Sequence, residues 1–269
     1  MRRIAHISDL HFGAETPQVA EELLVDLAKQ APHLVAVSGD LTQRARPSQF
    51  EAARAWLDRI AAPKLIVPGN HDVPLYNVLA RFLQPLANYR RAITADLHPF
   101  FVDEELAVAG VNTARSGTWK DGRISLAQID RLREQFASVP NRLFKVLVSH
   151  HPFIPPHGRA DEALVGRGDL ALKALQASGC ALILSGHLHH AYSGDARGHH
   201  VKLERSILVA QAGTAISHRL RNEANTYNQI TIERERLELM IRAWDGGRFA
   251  PTTTRHYALT ATGWVLAEA

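Results

Sequence analysis

The chain has 269 residues, 46% hydrophobic and 22% charged, with a formal net charge of +4. These are ordinary values for a globular protein, and no basic run resembles a nucleic-acid arm. The single cysteine, Cys180, excludes an internal disulfide and a cysteine-rich zinc site.

The chain enters a strand almost at once after Met1-Arg2-Arg3, with no apolar stretch of signal-peptide length and no uninterrupted apolar span of membrane length. A cytoplasmic location is therefore expected. One domain over residues 1–269 fits this length. The count of 15 histidines is high, and metal binding is one reason for such an excess.

A first strand is predicted at 3–8, followed by a helix at 18–30 with Val19, Leu23, Leu24 and Leu27 as its apolar stripe. A second strand at 34–38 ends at Gly39-Asp40. Ser48 and Glu51 have capping-box spacing and open a helix to about Ile60. A third strand follows at 64–67. Strand, helix, strand, helix, strand predicts a mainly parallel sheet with helices on its faces.

Residues 74–103 read less regularly. Leu75, Tyr76, Leu79, Phe82 and Leu83 suggest a helix, and Pro85 and Pro99 interrupt the rest of the stretch. The segment reads as an insertion or lid near the site, or as a surface connection. Strands are then predicted at 106–111, 144–149 and 181–185. Ser125 and Gln128 cap a helix to about Ala137, and Asp169 caps another ending near Ser178-Gly179. Beyond His190 the alternating segments 206–211, 229–233 and 237–244 predict an antiparallel sheet, with Arg234-Glu235-Arg236 as a hairpin turn.

Five of these apolar runs end in side chains that bind metals or move protons. The candidate ligands are Asp9, His11, Asp40, Asn70, His150, His187 and His189. Carboxylate, amide oxygen and imidazole together suit manganese, iron, zinc or cobalt rather than calcium. Seven side chains are too many for one tetrahedral ion. They suit two ions sharing a bridging carboxylate.

The blocks Asp9-X-His11, Gly39-Asp40, Gly69-Asn70-His71-Asp72, His150 and Gly186-His187-X-His189 resemble, in content and order, the calcineurin-like metallophosphoesterase superfamily. That resemblance implies an α/β fold, a four-layer αββα sandwich of two packed mixed sheets with outer helices. It implies that Asp9, His11, Asp40 and His189 hold one ion, and that Asp40, Asn70, His150 and His187 hold the other. His150 matches the ligand position, leaving His151 a supporting role. Manganese and/or iron are the expected ions, with zinc or cobalt as alternatives.

Within the superfamily the chain is similar to bacterial class III cyclic-nucleotide phosphodiesterases, through Gly39-Asp40-Leu41-Thr42, Ser149-His150-His151-Pro152, Gly186-His187-Leu188-His189 and residues 212–221. Protein phosphatases of the superfamily carry a second Asp and an Arg-Gly where this chain has Thr42-Gln43-Arg44-Ala45, which argues against that activity. The implied reaction is hydrolysis of a small phosphodiester by a hydroxide bridging the metals, with 3',5'-cyclic nucleotides among the substrates. His71 is the candidate catalytic residue, either as proton donor to the leaving oxygen or as a donor that orients the phosphate. Arg219, Arg221 and Asn225 are candidates for binding substrate, and His218 is read as a surface residue. Two alternatives stand: a broader phosphoesterase acting on nucleotides, phospholipid head groups or monoesters, and a catalytically inactive binding scaffold. A homo-oligomer is compatible with the chain.

Overall fold

Short apolar runs buried on both faces alternate with amphipathic helices, and they build two mixed sheets. The computed structural model describes residues 1–156, 162–197, 203, 205–220, 223–260 and 263–267. Its first part runs β1 (Arg2–Ile7), α1 (Pro17–Gln30), β2 (Leu34–Ser38), α2 (Pro47–Leu57), β3 (Lys64–Val67) and a 3₁₀ turn at Asn70–Asp72. Then come α3 (Val78–Leu83), α4 (Ala87–Ala92), β4 (Phe100–Val102), β5 (Leu106–Gly110), α5 (Leu126–Ala137) and β6 (Phe144–Val148). The chain continues through α6 (Gly168–Ala177), β7 (Cys180–Ser185), β8 (Tyr192–Asp195), β9 (Leu208–Gln211), β10 (Thr226–Glu233), β11 (Arg236–Trp244), β12 (Phe249–Thr260) and β13 (Gly263–Ala267).

One sheet has the order β13-β12-β11-β10-β1-β2-β3, the other β4-β5-β6-β7-β9-β8. In the first, β1, β2 and β3 are parallel and β10 to β13 are antiparallel. In the second, β5, β6, β7 and β9 are parallel, with β4 and β8 antiparallel at the edges. Ile4, Leu34, Leu65 and Ile230 of the first sheet meet Val108, Val146, Leu182 and Leu208 of the second in one buried cluster. Helices α1 and α2 pack on the outer face of the first sheet through Leu23, Leu27, Phe50 and Trp56. Helices α5 and α6 cover the second through Ile129, Phe136, Leu172 and Leu175. The layers therefore have the expected αββα order.

Several local expectations need correction. Helix α2 starts at Pro47, whose fixed φ suits the first helical position, so the Ser48–Glu51 box is not used. Instead the Gln49 side-chain oxygen accepts from the backbone N–H groups of Arg44 (2.9 Å) and Arg46 (3.4 Å). The helix ends at Leu57 rather than near Ile60. Asp169 lies inside the first turn of α6, and Arg167 caps it with φ 64°. By contrast, Ser125 and Gln128 form the expected reciprocal box on α5.

Strand β9 runs parallel to β7 in the second sheet, although the pattern after His190 predicts an antiparallel one. Apolar spacing carries no strand direction. The hairpin turn is two residues, since Arg236 already pairs with Glu233. Strands β12 and β13 were not predicted. Pro251 and consecutive threonines mask β12, and Pro251 is tolerated because the register shifts at Ile241/Arg242, opposite it. Residues 74–103 form α3, α4 and β4, which joins the second sheet beside β5.

Helix α1 is locked to the first sheet by a buried polar group. Arg242 donates to both Asp26 carboxylate oxygens (2.7 and 2.8 Å), and the Tyr227 hydroxyl donates to the same carboxylate at 2.6 Å. Asp26→Ala leaves the Arg242 charge buried without its partner, so it is expected to cost about 3–5 kcal/mol in urea denaturation. The combined Asp26→Leu/Arg242→Met variant removes both charges and is expected to cost far less. A loss below about 1 kcal/mol for Asp26→Ala would contradict this account.

Candidate metal centre

All seven sequence-derived ligand candidates come together at the carboxyl ends of parallel strands of both sheets. Asp9 and His11 follow β1, Asp40 follows β2, and Asn70 follows β3. His150 follows β6, and His187 and His189 follow β7. Clefts at the carboxyl ends of parallel strands are where such folds gather ligands. The loops of neighbouring strands are tied together within each sheet: Asp9 N–H donates to the Gly39 carbonyl (3.1 Å), His11 N–H to that of Asp40 (2.9 Å), and Gly186 N–H to that of His150 (2.9 Å).

Asp9, His11, Asp40, His187 and His189 all have positive φ, between 49° and 78°. That conformation is costly for residues with a Cβ and persists only where surrounding structure enforces it. Here it turns each side chain sharply off its strand and into the cleft. Two glycines make room. A Cβ on Gly69 would lie 2.1 Å from an Asp40 carboxylate oxygen, and one on Gly186 would lie 1.9 Å from Ser8 Oγ.

The side chains form two groups. In one, Asp9 Oδ1 lies 3.6 Å from His11 Nε2 and 3.2 Å from His189 Nε2. The two Nε2 atoms are 3.4 Å apart. In the other, Asn70 Oδ1 lies 3.0 Å from both His150 Nε2 and His187 Nδ1. Asp40 faces both groups, with Oδ2 at 3.8 Å from His11 and Oδ1 at 3.4 Å from His150.

These atoms fit cations. His189 Nδ1 donates to the Arg219 carbonyl (2.9 Å) and His150 Nδ1 donates to the Ser38 carbonyl (2.7 Å). With Nδ1 held, each Nε2 is turned toward the carboxylates, where it can carry a proton or hold a metal ion. Histidines held this way by their second nitrogen are typical metal ligands. Asp9 Oδ1 and His11 Nδ1 are buried without a hydrogen-bond partner.

The local field is strongly cation-seeking. Burial alone would raise Asp9 and Asp40, but the neighbouring histidines hold both carboxyls far below the usual range. Burial alone would lower His150, yet Asp40 raises it to about 9. His187, buried and beside His150, is pushed down to about 3. The mixed nitrogen and oxygen donors of this cluster would suit divalent ions.

His151 packs beside His150 and His187, with ring centroids 4.9 and 4.7 Å away, but its nitrogens are turned to other partners. Its Nδ1 meets the Thr113 hydroxyl at 2.7 Å and its Nε2 donates to the Lys120 carbonyl at 2.9 Å. Both nitrogens are engaged, consistent with a supporting role. Asp72 was not assigned from sequence. It accepts from the backbone N–H groups of Gly69, Leu41 and Thr42, stitching the loop after β3 to the loop after β2. Burial and the Asp40 charge raise its carboxyl to about 7.

The substrate-binding candidates separate. Arg219 lies at the site, its Nη1 3.1 Å from His71 Nε2 and 3.3 Å from Gln43 Oε1. Asn225 does not line a pocket. It is 4% exposed, and its amide nitrogen donates to the carbonyls of Thr214 and Ser217, so it braces the turn that carries Arg219. Arg221 lies outside the described residues. His218 is exposed.

The calcineurin-like phosphoesterase family model matches residues 2–191. The chain belongs to that family, whose members use a dinuclear metal centre. It is 25% identical over 70% of its length, and 74% of the relative's, to a probable cyclic nucleotide phosphodiesterase of Synechococcus sp.. It is 28% identical to a glycerophosphodiester phosphodiesterase of Enterobacter lignolyticus, over 56% of this chain and 57% of that one. It is 24% identical to the 3',5'-cyclic adenosine monophosphate phosphodiesterase of Escherichia coli K12, over 77% and 76% of the two chains. Among solved structures, yellow lupin purple acid phosphatase shares the fold, with TM-score 0.71 at 14% identity, over 94% of this chain and 53% of that one. A dimetal phosphatase from Danio rerio shares it with TM-score 0.64 at 12% identity, over 90% and 96%. Among the described residues no helix is long and apolar enough to cross a membrane.

Asp40 faces both groups, so Asp40→Ala is expected to lower the metal content of both positions and to abolish turnover. Elemental analysis of purified wild type and variant measures this. A variant that retained the wild-type metal content would contradict the shared-carboxylate reading.

Proposed function

We propose that the protein is a cytoplasmic phosphodiesterase acting on small phosphodiesters, 3',5'-cyclic nucleotides among them, with manganese and/or iron in a dinuclear centre and zinc or cobalt as alternatives. The observation that carries this reading is the pair of side-chain groups that Asp40 faces, with Oδ2 toward His11 and Oδ1 toward His150. One ion falls to Asp9, His11, Asp40 and His189, the other to Asp40, Asn70, His150 and His187. Ions held by these residues would supply positive charge beside the diester and would acidify a bound water. The names of the Synechococcus and Escherichia coli relatives support a diester substrate, and the glycerophosphodiesterase relative favours linear diesters as a second class. Every ligand position is filled, which argues against an inactive scaffold.

The metal-loaded enzyme is expected to hydrolyse cyclic AMP or glycerophosphodiesters faster than the corresponding monoesters, as measured by phosphate and alcohol release. Turnover of monoesters alone would overturn the diesterase reading.

His71 and Arg219 are the residues in this reading that meet the phosphate. The His71 backbone N–H donates to Asp40 Oδ1 at 2.8 Å, tying the histidine to the shared ligand. Its Nδ1 lies 2.9 Å from the Gln43 carbonyl, which only accepts, so Nδ1 carries a proton. In the neutral ring Nε2 accepts from Arg219. To protonate a leaving oxygen, the ring must carry a second proton at Nε2, with Arg219 turned toward the phosphate. An arginine fork suits phosphate oxygens.

A proton donor matters most where the leaving oxygen is basic. His71→Ala is therefore expected to slow an alkyl diester by about 10²–10⁴-fold and an aryl diester such as bis(p-nitrophenyl) phosphate much less. Metal content must be unchanged for the comparison, since Asn70 is adjacent. Equal losses on both substrates would assign His71 to orienting the phosphate instead.

A further inference from the structure

Helix α3 is inside out. Val78, Leu79, Phe82 and Leu83 are exposed, while Arg81 is only 3% exposed. The Arg81 guanidinium donates to the carbonyls of Ser116 (2.8 Å), Pro74 (3.0 Å) and Thr118. Its central carbon lies 4.9 Å from the centroid of the Trp119 ring. A short amphipathic helix ordinarily buries its leucines and exposes its arginine. Here the cation is fastened inward and the apolar turn is held in solvent. Tyr76, just before the helix, and Trp119, whose ring packs on Arg81, are also exposed, at 75% and 64%. Contiguous exposed apolar surface of this kind marks a place of interaction.

The charges around the patch select its partner. Between Asp72 and Asp96 the chain has no acidic residue and three arginines, Arg81, Arg90 and Arg91. Arg90 and Arg91 are exposed on α4, and Arg91 lines the same hollow as Leu79 and Leu83. On the other flank the Arg44 guanidinium lies 5.7 Å from the Tyr76 ring. Lys120 is exposed beside Trp119, with Asp121 the one acidic residue of the loop 114–123. A second copy of this face would set arginines against arginines with few carboxylates to answer them. Leucine, phenylalanine, tryptophan and tyrosine ringed by cations match an anionic bilayer surface, where apolar side chains enter the headgroup boundary and arginines meet lipid phosphates.

We propose that α3 and the Trp119 loop dock this protein peripherally on anionic lipid bilayers. Arg81 is the positioning residue that keeps the apolar turn outward. Each arginine near such a surface contributes about fivefold to binding.

Cosedimentation of the whole protein with vesicles tests this, using phosphatidylcholine mixed with phosphatidylglycerol against phosphatidylcholine alone. The wild type is expected to sediment with the anionic vesicles and to be released by high salt. The combined Leu79→Ser/Phe82→Ser/Leu83→Ser variant and the combined Arg90→Glu/Arg91→Glu variant are each expected to bind at least about tenfold more weakly. Both variants should hydrolyse soluble bis(p-nitrophenyl) phosphate as the wild type does, since their positions lie outside the metal centre. Wild-type protein left in the supernatant, or variants that bind like the wild type, would overturn the proposal. So would self-association that the serine variant abolishes without any vesicle binding, which would make the patch an interface between copies. Vesicle binding needs no turnover, so this result is independent of the phosphodiesterase reading.

Discussion

Two carboxylates, four imidazoles and an amide oxygen are crowded into one cleft, and Asp40 faces both halves of it. Buried charge is costly unless it is answered by an opposite charge. Asp9 and Asp40 are both almost fully buried, and each is answered by histidines and by a backbone N–H, from His187 and His71 respectively. Beyond those contacts, carboxylate, imidazole and amide oxygen atoms converge on one another, a donor set that could hold metal ions, and the rest of the fold enforces that convergence.

The enforcement is spread over both sheets. Parallel strands β1, β2, β3, β6 and β7 deliver their ends to one cleft, and the apolar cluster between the sheets fixes the distance across it. Left-handed backbone at five ligand candidates turns the side chains inward, at a cost of roughly 1–3 kcal/mol each that the packed sheets offset. Asp72 joins two of the loops through three backbone N–H groups, and Ser38 and Arg219 orient histidines through their carbonyls. The turn that presents Arg219 is itself braced by Asn225. Binding and support thus occupy adjacent positions along the same loops.

Much of this was legible in the sequence because ligands at the ends of apolar runs announce both the strand and the loop. The run before Gly39-Asp40 and the run before Gly186-His187 each give a strand and a turn together. Where polar and apolar residues stop alternating, the signal fails: Pro251 and the threonines of β12 read as loop, although a bulge accommodates them within a long strand. Strand direction was also hidden, since β9 has the same apolar pattern whether it runs parallel or antiparallel to its neighbour. Asn225 looked like a pocket residue because a polar side chain after a site motif resembles one that braces a turn. The inversion of α3 is equally silent in sequence, where Leu79, Phe82 and Leu83 suggest a helix but not which way it faces.

The shared carboxylate is tested most directly by electron paramagnetic resonance of the protein loaded with two equivalents of Mn²⁺. Ions sharing Asp40 should lie roughly 3.5–4 Å apart, and the account predicts the spectrum of an exchange-coupled pair. A spectrum of isolated, uncoupled ions at full loading, or saturation at one equivalent, would contradict it.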